Sequence, residues 1–322
     1  MQLPPQLRHA IEQQTAQCNP QSLSQAATEL SENYRARKPT KGKFITSEIH
    51  RLAYLATRFP ATFAANHSVL TEIRRLMPDR PITSLLDLGA GPGTASWAAT
   101  QVFPDLQQIT LVEQDEELFQ LGKSLALTGE NTLLQNANWT RADLRTTNTF
   151  PTHDLVVISY ALGELPQNTS NEILKTAWSS ANTALAIIEP GTMVGFNQIR
   201  QIRDHLLNFD GHLIAPCPHQ DECPISANDW CHFSQRVDRS SLHRRLKTGT
   251  LGHEDEKFSY IAASKNPIQP ASARILRHPK RRSGHAQLQL CTNGEIQTIT
   301  VSRRDKNNWK RARRIDWGDA WH

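Results

Sequence analysis

Three closely spaced glycines are the clearest chemical signal in this chain. Gly89, Gly91 and Gly93 alternate with other residues in Asp87-Leu-Gly-Ala-Gly-Pro-Gly-Thr94, between an apolar run that predicts a strand and a segment that predicts a helix. Glycine lets the backbone turn tightly and approach a bound molecule where a Cβ atom would block it. The segment therefore predicts a ligand-binding turn at the start of a helix.

The spacing of these glycines separates two classes of nucleotide cofactor. Nicotinamide-binding turns carry G-x-G-x-x-G, whereas G-x-G-x-G resembles the first motif of class I S-adenosylmethionine (SAM)-dependent methyltransferases. Glu113 and Asp143 follow the next two predicted strands, where they would accept hydrogen bonds from the ribose hydroxyls and the adenine amino group. The predicted SAM-binding residues are Asp87, Gly89, Gly91, Gly93, Glu113, Asp143 and Ser159.

Cofactor binding does not by itself predict methyl transfer. Enzymes that methylate exocyclic amines of bases usually carry Asn/Asp-Pro-Pro-aromatic after the fourth strand, and this chain has Ser159-Tyr-Ala-Leu-Gly-Glu-Leu165 there. Tyr160 could stack on a base and Glu164 could accept a proton, but residues at strand ends also support pockets and cap helices. Tyr160 and Glu164 are therefore the catalytic candidates, and whether the protein is an enzyme stays open.

Four cysteines form a second candidate site in the last third of the chain: Cys217, Cys223, Cys231 and Cys291. The first three fall within fifteen residues of a segment rich in proline and histidine. Thiolates suit metal binding, but without a CxxC pair the spacing does not separate zinc from an iron–sulfur cluster. Inert thiols and, at Cys217, a nucleophile for cytosine C5 methylation are the alternatives. Cys18, in the helical N-terminal region, is interpreted as a small apolar residue.

Positive charge is concentrated at the C-terminal end. Residues 236–322 contain 19 Lys and Arg against 8 Asp and Glu, whereas the preceding residues contain 17 and 23. This asymmetry predicts a surface that binds nucleic acid; a solvated basic face is the alternative. The predicted RNA contacts are Arg236, Arg239, Arg244, Arg245, Lys247, Lys280, Arg281, Arg282, Arg311, Arg313 and Arg314, with His243, Trp309 and Trp317 as stacking candidates.

The elements that must position these residues divide the chain into three regions. Residues 1–80 predict a helical N-terminal region, and 81–210 alternate strands with helices, as in a SAM-binding Rossmann-like core. Residues 211–322 predict a cysteine-cluster insertion, the remaining core strands, a β-hairpin around Asn293-Gly294 and a basic RNA-facing tail. Strands are predicted at 84–88, 108–113, 138–141, 154–160, 183–189, 258–264 and 273–277.

The fold class predicted is thus α/β, a class I SAM-dependent methyltransferase core with a helical N-terminal region and a C-terminal cysteine-cluster and hairpin extension. No apolar run approaches the roughly 20 residues of a membrane helix, so no membrane association is expected. The first residues lack the basic and apolar parts of a secretory signal, which leads us to expect a cytoplasmic protein. A monomer is favoured, although the sequence does not determine the oligomeric state.

A series of motifs along nearly the whole chain resembles one family, the methyltransferase-like proteins associated with the small ribosomal subunit of bacteria and mitochondria. Besides the glycine turn, the motifs are Arg58-Phe-Pro-Ala-Thr62, Tyr160-Ala-Leu-Gly-Glu-Leu165, Ile188-Glu-Pro-Gly-Thr192, Pro216-Cys-Pro-His219, Asp229-Trp-Cys-His-Phe233, Glu254-Asp-Glu-Lys-Phe-Ser-Tyr260, Leu290-Cys-Thr292 and Trp317-Gly-Asp319.

This resemblance implies a cofactor and a function that the residues alone do not establish. Mitochondrial members hold a [4Fe-4S] cluster on four cysteines, which match Cys217, Cys223, Cys231 and Cys291 here. The family is linked to assembly of the small ribosomal subunit and its rRNA, and bacterial members are described as candidate rRNA methyltransferases. The expected function is a SAM-binding, iron–sulfur protein that methylates this rRNA. The alternatives are a non-catalytic assembly factor that retains the SAM pocket and a small-molecule methyltransferase with a zinc site.

Overall fold

The computed structural model describes residues 1–36, 44–246 and 251–321. The N-terminal region is helical, as its apolar spacing predicts. Leu23, Leu30 and Ala53 are buried in one shared cluster, while Phe59 and Phe63 join the main core, so the helices pack through their apolar faces. They are α1 (Pro5–Thr15), α2 (Pro20–Ala36), α3 (Glu48–Thr57) and α4 (Phe59–Leu76).

A large mixed sheet forms the centre of the molecule, and its strands are nearly continuous apolar runs because helices cover both faces. The first three strands have the predicted bounds. The elements are β1 (Ser84–Leu88), α5 (Thr94–Val102), β2 (Gln108–Glu113), α6 (Glu116–Thr128), α7 (Thr132–Gln135), β3 (Asn138–Arg141), β4 (His153–Ser159), α8 (Gln167–Ser180), β5 (Ala181–Pro190), α9 (Met193–Asn208), β6 (His212–Ala215), β7 (Phe233–Asp238), α10 (Ser241–Leu246) and β8 (His253–Ser264).

The strand order is β3-β2-β1-β4-β5-β8-β6. Strands β1 to β5 are parallel, and β8 lies antiparallel between β5 and β6. This is the class I SAM-dependent methyltransferase fold, so the predicted fold class is confirmed. The order reverses between β1 and β4, which opens a crevice at the carboxyl ends of the parallel strands. We call it the strand-end crevice.

A second, antiparallel sheet follows at the C-terminal end, with its own apolar cluster around Ile275, Leu288 and Val301. Its hairpin pairs Cys291 with Ile296 across a turn in which Gly294 has φ 79°, as the Asn-Gly turn predicts. The residues of the predicted basic tail fold onto this sheet as a helix and a short strand. The elements are β9 (Ala273–Ile275), β10 (Lys280–Arg281), β11 (His285–Cys291), β12 (Ile296–Ser302), α11 (Lys306–Ala312) and β13 (Ala320–Trp321).

Among the described helices, none combines the length and the apolar character that crossing a bilayer requires.

Candidate functional site

The glycine turn joins β1 to α5 at the strand-end crevice. Gly89, Gly91 and Gly93 have φ of 71°, 55° and 83°, in the left-handed region that favours glycine. A Cβ at Gly89 would lie 2.8 Å from Ala161 Cβ, whereas a Cβ at Gly91 would have no atom within 4 Å. Gly91 thus faces open space in the crevice, where a ligand would lie.

Glu113 ends β2 beside this turn. Its Oε2 accepts a hydrogen bond from Gly91 N at 2.8 Å, and its Oε1 accepts one from Asp115 N at 2.7 Å. Burial raises the pKa of this carboxyl, while these backbone donors act to lower it. Each carboxylate oxygen has a second lone pair, so Glu113 retains acceptor capacity for hydroxyl groups of a ligand.

Asp87 occupies a different place from the one expected of a ligand contact. Its side chain is buried, and its Oδ2 accepts hydrogen bonds from Ser96 N at 3.1 Å and Ser96 Oγ at 2.7 Å. It therefore joins β1 to the first turn of α5 from beneath the glycine turn. In this structure Asp87 supports the glycine turn, and its assignment to the SAM site stays a prediction.

Burial of Asp87 predicts a pH-dependent stability. Burial raises the pKa of its carboxyl from 3.8 to about 6. The pKa of Asp87 is higher in the folded than in the unfolded state. Its protonated carboxyl therefore contributes fully to the free energy of unfolding below the unfolded pKa, and this contribution is lost as the pH rises through about 6. Between pH 5 and 7.5, wild type should lose about 1.4 kcal/mol relative to Asp87→Asn, measured by urea unfolding.

The control for this experiment is Asp105→Asn, which changes an exposed aspartate in the loop before β2. An equal pH dependence of the unfolding free energy in wild type and Asp87→Asn would contradict the buried, proton-binding role.

Asp143 and Ser159 lie after β3 and at the end of β4, as the prediction of SAM contacts requires. Both are engaged within the protein: Asp143 Oδ2 accepts from Arg145 Nη2 at 2.6 Å, and Ser159 Oγ accepts from Asn66 Nδ2 at 2.9 Å. The hydrogen bonds and charge of Arg145 hold the pKa of Asp143 below its usual range. A ligand would have to share Asp143 with Arg145.

The hydroxyl of Tyr160 forms a hydrogen bond within the protein. Its backbone adopts φ 56°, a strained value for a residue with a side chain, and its hydroxyl donates to Glu256 Oε1 at 3.1 Å. Glu256 also accepts two hydrogen bonds from Arg58, each at 3.2 Å. Arg58 and Glu256 both fall within the family motifs, but sequence reasoning assigned neither a role. Together they fix Tyr160 at the crevice.

Glu164 is the second catalytic candidate, and it lies on the short 3₁₀ turn after β4. Desolvation by neighbouring atoms, together with the charge of Glu113, raises the pKa of its carboxyl to about 7. Its side chain nevertheless reaches solvent. Glu164 is therefore a carboxyl that exchanges a proton near neutral pH within electrostatic reach of the cofactor-binding candidate Glu113.

The four predicted cysteines line one cavity, which we call the cysteine cavity. It lies between α9, the segment 216–231, β8 and the start of the second sheet, and contains about 540 Å³ of empty space, part of it open to solvent. Its lining includes Cys217, Cys223, Cys231, Cys291, Arg203 and Arg274, and none of these thiols is in a disulfide. Cys18 packs instead beside the cluster of α2 and α3.

The thiols of the cysteine cavity influence one another. Burial and the nearby thiols raise the pKa of Cys231 well above its usual range and that of Cys291 to about 12. Four such groups would become thiolates together only with a compensating positive charge, which a metal centre supplies. Within the described residues, no group of three or more His, Cys, Asp or Glu side chains is arranged to hold a single ion.

The predicted RNA contacts differ in their surroundings. Arg236 and Arg239 are paired with Asp255 and Glu254, at 3.0 and 3.2 Å. Arg244 and Arg245 are exposed on α10, and Lys247 lies outside the described residues. The remaining predicted contacts are exposed on the second sheet and α11, together with cations that the prediction omitted. This set, the basic sheet surface, is Lys280, Arg281, Arg282, Arg303, Arg304, Lys306, Lys310, Arg311, Arg313 and Arg314.

The residues predicted to stack on RNA bases are less exposed than expected. His243 is buried, with Nε2 3.4 Å from Glu254 Oε2, so its proposed stacking on bases is wrong. Trp317 is partly buried and makes edge contacts with His232 and His278, with ring centroids 4.7 and 4.9 Å apart. Trp309 packs partly against the cluster of the second sheet.

Comparison with known proteins matches a family model described as mitochondrial small ribosomal subunit Rsm22 to residues 48–322. The human ribosome assembly protein METTL17, mitochondrial, is 27% identical over 286 residues, covering 83% of this chain and 61% of the relative. The fission yeast (Schizosaccharomyces pombe) Rsm22-cox11 tandem protein 2, mitochondrial, is 25% identical over 325 residues, covering 84% and 43%. The chain thus spans about half the length of these relatives.

Among solved structures, magnesium protoporphyrin IX methyltransferase of Synechocystis PCC 6803 with bound SAH is similar with a TM-score of 0.43 and 12% identity, covering 64% of this chain and 84% of that one.

The family description and both relatives' names specify mitochondria, which contradicts the expectation of a cytoplasmic protein. A missing secretory signal was a poor guide because it bears only on export. Since the matched family model extends over residues 48–322, the chain belongs to the family of the mitochondrial small ribosomal subunit protein Rsm22.

Proposed function

We propose that this protein binds the RNA of the small ribosomal subunit during assembly, and that it holds SAM and a [4Fe-4S] cluster. The observation that carries the proposal is the basic sheet surface. Between residues 273 and 321 the chain has 12 Lys and Arg against 4 Asp and Glu, and ten of these cations are exposed. Such a surface matches the phosphate backbone of RNA. Family membership and the name of the human relative support the same partner.

A double charge reversal immediately after α11 tests this surface. Arg313→Glu with Arg314→Glu should weaken binding to small-subunit rRNA at least about tenfold at 0.1 M salt. The slope of log affinity against log salt should also fall by roughly 1.4 to 1.8, because two phosphate contacts are lost. Fluorescence anisotropy with labelled rRNA fragments at several salt concentrations measures both quantities.

The matched control is Lys123→Glu with Lys175→Glu, which reverses two exposed charges on α6 and α8. An equal loss of affinity in the control would show that the loss depends on the net charge of the protein and not on the position of the charges. Unchanged affinity and slope in the Arg313→Glu, Arg314→Glu variant would contradict RNA binding by the basic sheet surface.

The strand-end crevice is the proposed site for SAM. Gly91 supplies an open backbone position and Glu113 supplies acceptor oxygens for the ribose hydroxyls. Asp143, after β3, is the proposed partner of the adenine amino group, and Ser159, at the end of β4, is a further proposed contact. Asp87 holds the turn from below. When bound, SAM would supply an activated methyl group.

The cysteine cavity is the proposed site for the [4Fe-4S] cluster. Its lining includes four thiols, those of Cys217, Cys223, Cys231 and Cys291, and thiolates are the ligands that such a cluster takes. Such a cluster would be structural. It would connect the segment 216–231 to Cys291 and thereby to the basic sheet surface.

Methylation of the rRNA is a second candidate function, favoured by Glu164. A carboxyl with a pKa of about 7 beside the proposed SAM site suits a group that accepts a proton during methyl transfer. The test uses radiolabelled SAM, immature small subunits, wild type and Glu164→Gln. Label in the rRNA with wild type and a large loss with Glu164→Gln supports an enzyme. Stable binding without label supports assembly without catalysis.

A further inference from the structure

Two buried arginines face the cysteine cavity from different elements. Arg203 comes from α9 and Arg274 from β9, and their exposed fractions are 3% and 2%. Both line the cavity together with the four cysteines. Cationic side chains are rarely buried to this extent unless a negative group lies nearby. Two buried positive charges thus lie beside the four thiols.

The hydrogen bonds of Arg274 leave one of its donors unused. Its Nε donates to Pro216 O at 2.9 Å, and its Nη1 donates to Glu72 Oε1 at 2.6 Å and to Gly318 O at 2.9 Å. Its Nη2 is buried and has no hydrogen-bond acceptor among the described residues. A buried guanidinium N–H without an acceptor is unfavourable, which indicates that an acceptor belongs there.

Arg203 shows the same pattern on the other element. Its Nη1 donates to Asp204 Oδ1 at 3.0 Å and its Nη2 donates to Asp221 O. Its Nε is buried and, within the part of the chain that the structure describes, makes no hydrogen bond. Asp204 is mostly exposed, so its charge is well solvated and compensates Arg203 only in part.

The positive charge of both arginines reaches the thiols. Burial raises the pKa of Cys217, and Arg203 and Arg274 each oppose that rise; the same two arginines oppose it at Cys291. A [4Fe-4S] core held by four thiolates carries a net negative charge, and its sulfur atoms accept hydrogen bonds that set the reduction potential. The charge and the unused donors of the arginines match this group.

We propose that Arg203 and Arg274 retain the anionic iron–sulfur group in the cysteine cavity by donating hydrogen bonds to its sulfur atoms and balancing its negative charge. The proposal rests on the proposed cluster. Reduction adds a further negative charge, so the two arginines stabilise the reduced form more than the oxidised form. They therefore raise the reduction potential and slow the loss of iron.

The test compares anaerobically purified, iron-loaded full-length wild type, Arg203→Met, Arg203→Lys and Arg141→Met. Methionine keeps much of the side-chain volume without charge or donors, and lysine keeps the charge. Arg141 forms a surface ion pair with Glu116 at 3.0 Å and serves as the matched control. Spectroscopic redox titration gives the midpoint potential, and a chelator gives the rate of iron release.

Arg203→Met should lower the potential by about 59 mV or more, a tenfold change in the relative stability of the reduced form, and should release iron at least about tenfold faster. Arg203→Lys should recover part of both effects, and Arg141→Met should match wild type. Equal potentials and release rates in Arg203→Met and wild type would overturn the proposal.

Two further outcomes are also decisive. If Arg203→Met takes up no iron, recovery of iron in Arg203→Lys supports the proposal. No recovery in Arg203→Lys would mean that the site needs the packing of Arg203 and not its charge, which overturns the proposal. If wild type itself holds no iron after anaerobic reconstitution, the proposed cluster fails, and this inference fails with it. That result differs from the one in which wild type holds iron and the arginines have no effect.

Discussion

Cys231→Ser should lose nearly all the iron of the proposed [4Fe-4S] cluster. Cys231 is half-buried in the cysteine cavity, and its thiol lies within electrostatic reach of Cys217, Cys223 and Cys291. Serine is a poor ligand for iron in a thiolate site, because a hydroxyl does not ionise as a thiol does. Iron analysis and the visible absorption of anaerobically purified protein measure the loss.

Cys18→Ser is the control for this variant, since Cys18 lies in the helical region beside Leu23 and Ala27 and away from the cavity. It should retain full iron content. Full iron in Cys231→Ser, or one zinc per chain in wild type in place of iron, would contradict a four-iron cluster at this site.

Gly91→Asp should weaken SAM binding by about 100-fold, equivalent to roughly 2.7 kcal/mol. The new side chain would extend into the open space in front of Gly91, and its carboxylate would stand next to that of Glu113. It would occupy the ligand's position and add a like charge to the site. Isothermal titration with SAM measures the affinity.

Gly91→Ala separates this effect from backbone strain. Alanine bears at least as much of the cost of a φ of 55° as aspartate does, but it leaves most of the crevice open. It should retain most of the SAM affinity and should unfold at a urea concentration no higher than that for Gly91→Asp. Equal SAM affinity in Gly91→Asp and wild type would exclude this crevice as the binding site.

The sequence predicts the fold most closely where local chemistry decides it. Strands β1 to β3 appear at the predicted residues because each is a short run between turn signals, and the glycines form a turn between β1 and α5, where one is predicted. The Asn293-Gly294 hairpin forms for the same reason. These features depend on residues that are neighbours in the chain.

Features that depend on distant residues were not predicted. Strand β7 buries only Phe233 and Val237, so its pairing with β8 has little periodicity to reveal it. Asp87 faces Ser96, and Arg274 joins Glu72 to Pro216, contacts that arise only after the sheet and helices pack. The roles of such residues are decided by tertiary packing, which local sequence patterns do not contain.

Short contacts connect the cysteine cavity to the core sheet and to the C-terminal region. Trp230 Nε1 donates to Gly191 O at 3.0 Å, just after β5, and Ser259 Oγ donates to Cys231 O at 2.8 Å. Arg274 connects the cysteine cavity to Gly318 of the C-terminal region at 2.9 Å. A cluster that orders the segment 216–231 would therefore also support the sheet that carries the basic surface.

The central claim, that the basic sheet surface contacts small-subunit rRNA, is tested most directly by ultraviolet crosslinking. Iron-replete protein is bound to immature small subunits, irradiated and digested, and the crosslinked peptides are identified by mass spectrometry. The account predicts crosslinks to rRNA in peptides between residues 278 and 314, which span the exposed cations of the second sheet and α11. Stable binding with rRNA crosslinks confined to the helical N-terminal region, or with none at all, would contradict it.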